Sequence, residues 1–276
     1  FTGSLETARA INRSLAQRAG PIVPLIAETG GQNAMMVDAS ALPEQVVEDV
    51  LSSSFQSAGQ RCSALRVLCV QDEVADRILT MLVGAMDELQ IGDPLDLATD
   101  LGPVIDADAR AMLEAHAARM DREAQLIHRC ALPPATDSGH FFAPRIYEID
   151  SLGRLQGEVF GPILHVLRWR AHDLDRTLDQ INGMGFGLTF GVHSRIDSQI
   201  ARLTGGIRAG NSYVNRNLIG AVVGVQPFGG EGLSGTGPKA GGPDYLTRFA
   251  VERSLSINTT AAGGNAVLLS LDDGED

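Results

Sequence analysis

Apolar residues at Leu5, Ala8, Ile11 and Leu15 recur at the spacing of a one-faced helix, and Ser4 just ahead of them is a plausible N-cap. A short apolar run at 21–27 then ends at the turn sequence ETGGQN and reads as a buried strand. The run AMMV at 34–37 reads as another strand, and PEQVVEDVLSSSF as a helix with Pro43 in its first turn and Val46, Val47, Val50 and Leu51 on one face. LRVLCV at 65–70 predicts a strand and 73–89 a strongly amphipathic helix. A loop rich in Gly, Pro and Asp leads from there into a helix near 107–123. Residues 140–170 are strand-like with turns, centred on GEVFGPILHVLRW. Next come a helix near 173–182, the strand GLTFGVHS, a helix to about 204 and the strand NSYVN. Strands alternating with helices at this spacing predict an α/β fold with a largely parallel sheet.

Composition narrows the class. A chain of 276 residues suffices for one large or two modest domains. Hydrophobic content of 44% with 20% charged residues is that of a soluble globular protein, and no run of about 18 apolar residues predicts a membrane span. The opening FTGSLETARA lacks the basic and apolar regions of a signal peptide, and it starts without Met on strand-like residues. The sequence is therefore expected to be a fragment entered in mid-domain. A net charge of −12 argues against a nucleic-acid partner, which needs a basic patch to neutralise phosphates. Three cysteines at spacings of 7 and 61 form no complete disulfide framework, and no Cys/His cluster resembles a zinc site, so no metal is expected. The expectation is a reduced, cytoplasmic enzyme or domain.

Two residues stand out chemically. Cys62 lies in the polar turn SAGQRCS, whereas a free cysteine normally behaves like Cys69, buried in an apolar run. A reachable thiolate on a turn suits a nucleophile, and a packing role at a helix-to-strand junction remains the alternative. Glu28 ends the run 21–27 beside two glycines, where an α/β sheet could place an active site, or it is a solvated loop acid. The six histidines sit in unremarkable helical or strand contexts. GEGLSG at 230–235 matches a dinucleotide-binding text pattern, but it runs into TGPKAGGP instead of a helix and reads as a shaped loop. FTGS is better placed for a phosphate, because a Gly-Ser turn opening a helix offers free N–H groups to an anion.

LIAETGGQNAM, SFQSAGQRCS, GEVFGPIL and PFGGEGLSG occur in the order and spacing of the aldehyde dehydrogenase superfamily, and the resemblance covers nearly the whole chain. Residues 211–246 narrow it to the branch that oxidises L-glutamate γ-semialdehyde (in equilibrium with Δ1-pyrroline-5-carboxylate) within bifunctional proline-utilisation enzymes. The resemblance implies a three-layer α/β catalytic domain with a remnant of a Rossmann-like NAD-binding domain, and NAD as cofactor. It implies Cys62 as nucleophile, its own N–H helping to hold the thiohemiacetal oxyanion, and Glu28 as the base that activates water against a thioester. It implies that Glu158 and Phe160 contact the nicotinamide ribose and that Gly3 and Ser4 form the pyrophosphate-side turn. Ser63, Gly220 and Ala221 would anchor the substrate α-carboxylate, and Phe228 would lie along its aliphatic chain.

By the same resemblance the chain divides into a nucleotide-domain remnant at 1–27, a catalytic domain at 28–236, and an oligomerisation arm and acidic tail at 237–276. A strand near 253–260 would add to the sheet of a partner in a homo-oligomer. Most of the nucleotide domain and the FAD-bearing proline dehydrogenase half would lie on the rest of the same polypeptide. The 276-residue piece alone is then expected to be inactive. An aldehyde dehydrogenase of other specificity, or a catalytically silent assembly domain of that fold, stays open.

Overall fold

The computed structural model describes residues 1–222 and 224–258. The chain falls into two compact units, 1–242 and 243–276. The first opens with helix α1 (Leu5–Gln17), whose N-cap is Ser4: its hydroxyl accepts from the Thr7 N–H. Strand β1 (Asn33–Val37), helix α2 (Pro43–Phe55), strand β2 (Leu65–Gln71), and helices α3 (Asp72–Asp87) and α4 (Ala107–Glu123) come next. Then come β3 (Gln125–Arg129), β4 (Arg145–Glu148), β5 (Ile163–Trp169), α5 (Leu174–Gly183), β6 (Phe186–Gly187), β7 (Thr189–His193), α6 (Asp197–Gly206), β8 (Asn211–Val214) and β9 (Glu231–Gly232).

Seven strands form one sheet in the order β3-β4-β5-β2-β1-β7-β8, with β6 and β9 pairing separately. Every neighbouring pair in the large sheet is parallel except β3 with β4 at one edge. Alternation along β1 explains the layers. Met35 and Val37 pack on one face with Val46, Val50, Ile78 and Leu82 of α2 and α3. Ala34 and Met36 pack on the other with Leu113, Leu178 and Leu203 of α4, α5 and α6. Both faces are covered at the centre of the sheet, so β1, β2 and β5 are mostly apolar at consecutive positions, as a buried parallel sheet requires. The predicted α/β class and three-layer arrangement hold.

One predicted strand does not form. Residues 21–27 have no strand pairing, and Ile22 is fully exposed. Pro21 and Pro24 remove two backbone donors from a seven-residue run, so apolar composition there does not produce a ladder. Glu28 accordingly sits at no strand end. Its backbone is clipped instead between two segments: its N–H donates to Phe1 O (2.9 Å), its carbonyl accepts from Gly3 N–H (3.1 Å), and it bridges antiparallel to Gly235. The loop reading of 230–235 holds; it is a turn that carries β9 and then meets Glu28.

In the second unit, a single 3-10 turn at Leu246–Phe249 is succeeded by chain without regular secondary structure to residue 258. The strand expected near 253–260 is not formed over 253–258, since the sheet it is expected to join belongs to a partner subunit; the rest of it lies outside the described residues, as does the acidic tail.

Candidate active site

In a parallel sheet all strand entries share one rim, and the chemistry collects there. Cys62 stands three residues ahead of β2, Asn33 opens β1, Thr189 opens β7, and Gly161 lies two residues ahead of β5. The sequence reading places Glu28, though not Cys62, by the rule that ligands gather at the carboxyl ends of such strands. The rim used here is the opposite one.

The turn that carries Cys62 is backbone-strained. Ser57, Ala58 and Gly59 have φ of 56°, 51° and 65°, three successive left-handed residues between α2 and β2. Gly59 has no alternative, since a Cβ there would lie 2.4 Å from the Gly161 carbonyl oxygen. Asn33 holds the rest of the turn: its Nδ2 donates to Cys62 O (2.7 Å) and Ala64 O (2.9 Å), and its Oδ1 accepts from Thr189 N–H (3.0 Å). One buried amide thus joins β1, the Cys62 turn and β7.

Arg66 is the second organiser. Only 2% exposed on β2, it donates to Gly161 O (2.9 Å) and Arg61 O (3.2 Å), reaches Glu158 Oε1 (3.5 Å), and lies 5.3 Å from the centre of the Phe160 ring. Glu158 also accepts from the Gly31 N–H, and its carboxyl rests on Gly30, where a Cβ would fall 1.5 Å from Oε2. Burial raises the Glu158 pKa; Arg66 and the Gly31 N–H oppose it.

Cys62 is partly buried, and burial pushes its thiol up; the charge of Glu158 and then that of Glu28 push the same way. The N–H groups of Ser63 and of Cys62 itself face the sulfur and pull the pKa down. Two N–H groups aimed at the sulfur favour its thiolate form. Glu28 accepts from the Gly230 N–H through Oε2 (2.8 Å), while its buried Oε1 has no hydrogen-bond partner in the protein. Burial raises the Glu28 pKa, opposed by that N–H and by Lys239. The thiol and both carboxylates therefore occupy one electrostatic neighbourhood.

A family model described as the aldehyde dehydrogenase family matches residues 1–255. The chain belongs to the aldehyde dehydrogenase family. It is 56% identical over 261 residues to the bifunctional protein PutA of Klebsiella aerogenes, an alignment covering 92% of this chain and 20% of that protein. A crystal structure of bifunctional proline utilization A (PutA) superposes with a TM-score of 0.90 at 62% identity, covering 95% of this chain and 27% of that one. The 1-pyrroline-5-carboxylate dehydrogenase from Thermus with bound NAD gives a TM-score of 0.83 at 34% identity, over 90% and 48%. This aldehyde dehydrogenase chain thus spans about a fifth of the length of the bifunctional relatives it matches.

Among the residues singled out from the sequence, Cys62, Ser63, Glu28, Glu158 and Phe160 come together around the turn, and Gly3 joins them through its bond to the Glu28 carbonyl. Ser4 is next in the chain, as the cap of α1. Phe228 is placed through its two-bond bridge with Ala240 (3.0 and 2.9 Å), one residue from a glycine that touches Glu28. Gly220, with φ of 77°, and Ala221 lie farther along the loop after β8; that loop hangs on Leu218, whose N–H donates to Ser53 Oγ (3.0 Å), and no hydrogen bond ties the pair to Ser63.

Asn33 and Arg66 escaped the sequence reading. A polar residue opening an apolar strand and an arginine inside LRVLCV were the available signals. Nor does the sequence single out His116 and His165, the first half-buried and the second fully buried, whose Nε2 atoms lie 2.9 Å apart. Among the described residues no group of His, Cys, Asp and Glu could hold a metal ion, and no helix is long and apolar enough to cross a membrane.

Proposed function

We propose that the chain carries the catalytic centre of an NAD-dependent aldehyde dehydrogenase that oxidises L-glutamate γ-semialdehyde to L-glutamate in proline catabolism. The observation that carries this reading is the convergence of the Cys62 sulfur, two amides facing it and the half-buried Glu28 carboxylate. The Cys62 thiolate adds to the aldehyde carbon, and the Cys62 N–H helps to take the charge on the resulting oxyanion. NAD, which Glu158, Phe160 and the start of α1 would hold, would supply the hydride acceptor, and loss of hydride from the adduct leaves Cys62 as a thioester. Glu28 takes a proton from water through its unpartnered Oε1; the hydroxide displaces the thiolate and releases the carboxylate product.

The residues present fit the cofactor: the Ser4-capped start of α1 offers N–H groups to a pyrophosphate, and it is moored to Glu28 through Gly3. Glu158, whose charge reaches Cys62, and the exposed Phe160 under Arg66 suit a ribose and its nicotinamide. Ser63, Gly220, Ala221 and Phe228 form the substrate end in this reading. The relatives named as PutA and as pyrroline-carboxylate dehydrogenase support this substrate.

The same reading assigns 1–27 to the nucleotide domain, 28–236 to the catalytic domain and 237–276 to an oligomerisation arm. Exposed Leu246, Phe249, Val251, Leu255 and Ile257 support the last assignment. It further assigns the chain to a cytoplasmic homo-oligomer whose polypeptide also carries a proline dehydrogenase with FAD. The test is aldehyde-dependent NADH formation by the longer parent: Cys62→Ala abolishes it, and retention of activity in that variant removes the proposal.

A further inference from the structure

Lys239 is the only lysine among the 22 lysine and arginine residues of the chain. Its Nζ donates to the Gly210 carbonyl, directly ahead of β8. On that side Asn211 holds the next segment, donating to Pro227 O (2.9 Å) and accepting from Gly229 N–H (3.2 Å). A Cβ on Gly229 would stand 2.8 Å from Glu28 Oε1 and 3.2 Å from the Lys239 Cα, so carboxylate and lysine flank the same glycine. The adjacent Gly230 N–H is the donor to Glu28 Oε2. Resting on the reading of Glu28 as general base, we propose that Lys239 is a positioning residue for Glu28: it closes the glycine turn on the carboxylate and brings the chain's only lysine ammonium into electrostatic range of it.

The chemistry explains why this cation is a lysine. A buried carboxylate tends to keep its proton, and a protonated Glu28 cannot take one from water. The Gly230 N–H occupies Oε2 and leaves Oε1 bare. An arginine in this place would bring a planar fork of donors able to seize both oxygens, whereas an ammonium tied to a carbonyl acts as a point charge. Lys239 is the one charged group that pulls the Glu28 pKa down against burial.

Two measurements test this on the chain as it stands, without cofactor. In the first, Cys62 is acylated with an activated ester and loss of the acyl group is monitored by intact mass against pH. Lys239→Met raises the pH of half-maximal deacylation by about one unit and leaves the high-pH plateau within about twofold. An unmoved midpoint, or a collapsed plateau at an unmoved midpoint, overturns the proposal. In the second, the protein is reductively methylated with ¹³C, which gives one lysine signal and needs no Lys239 variant. That signal steps with Glu28 ionisation and loses the step in Glu28→Gln; a step that survives the variant, or its absence in the parent, overturns the proposal. If Glu28→Gln deacylates at the parent rate, the general-base reading fails, and the lysine signal still judges the Lys239–Glu28 coupling.

Discussion

Acidification from pH 7 to pH 5 should weaken the folded chain through one pair of rings, the fully buried His165 and the half-buried His116. His165 Nδ1 lies 3.2 Å from the Arg66 carbonyl, which only accepts, so that nitrogen carries the proton. His165 Nε2 then accepts from His116 Nε2 at 2.9 Å, and His116 Nδ1 accepts from Arg119 at 3.4 Å. A further proton on either ring would set two donors face to face. Burial, first of all, lowers His165 to about 3 and His116 to about 4. The unfolded chain, with histidine near ~6.5, takes up protons before the folded one does. The contribution is intact above that value and is lost as pH falls from there toward the folded values. By linkage, each ring costs about 2 kcal/mol at pH 5 relative to pH 7, and the pair about 4 kcal/mol. Glu28, Glu158 and Asp49 are raised by burial and work the other way, gaining stability as pH falls, so the wild-type curve alone is a sum. A difference isolates the rings. Denaturant unfolding of wild type and of His116→Gln/His165→Gln at both pH values should show the stability gap narrowing by about 4 kcal/mol at pH 5. Curves that stay parallel would refute the assignment of two neutral, interdependent rings.

Three further outcomes are expected from the turn around Cys62. Asn33→Leu strips three hydrogen bonds from buried backbone groups and should cost about 2–4 kcal/mol in denaturant unfolding, with Asn33→Asp recovering part of it. Gly30→Ala forces Glu158 away, because the new methyl would overlap its carboxyl oxygen. With that charge displaced the thiol pKa falls, and iodoacetamide should alkylate Cys62 faster at pH 7.5 than in wild type. Gly59→Ala combines a positive φ with a 2.4 Å approach to the Gly161 oxygen, and should lower the unfolding midpoint by the equivalent of about 2 kcal/mol or more.

The elements were legible wherever burial imposes a period. Val46 and Val50 announce α2, and nearly continuous apolar runs announce β1 and β2, because two covered faces leave no polar alternation to read. The run at 21–27 misled because hydrophobicity says nothing about donors, and two prolines had removed them. Cys62 and Glu28 were visible as chemically odd residues on turns. Asn33, Arg66 and the His116–His165 pair were not, because their meaning lies in partners 29 to 156 positions distant in sequence, which no local window holds. The family resemblance supplied what local pattern could not, namely which turns meet.

With the reactive groups gathered where the chain enters its strands, the opposite rim of the sheet is left to other uses. The exposed connection at 170–173 leaves β5 from that far side. A peptide tag or fused module grafted there would hang away from the thiol, whereas one extra residue between Gly59 and Leu65 would shift the sulfur off its pair of amides.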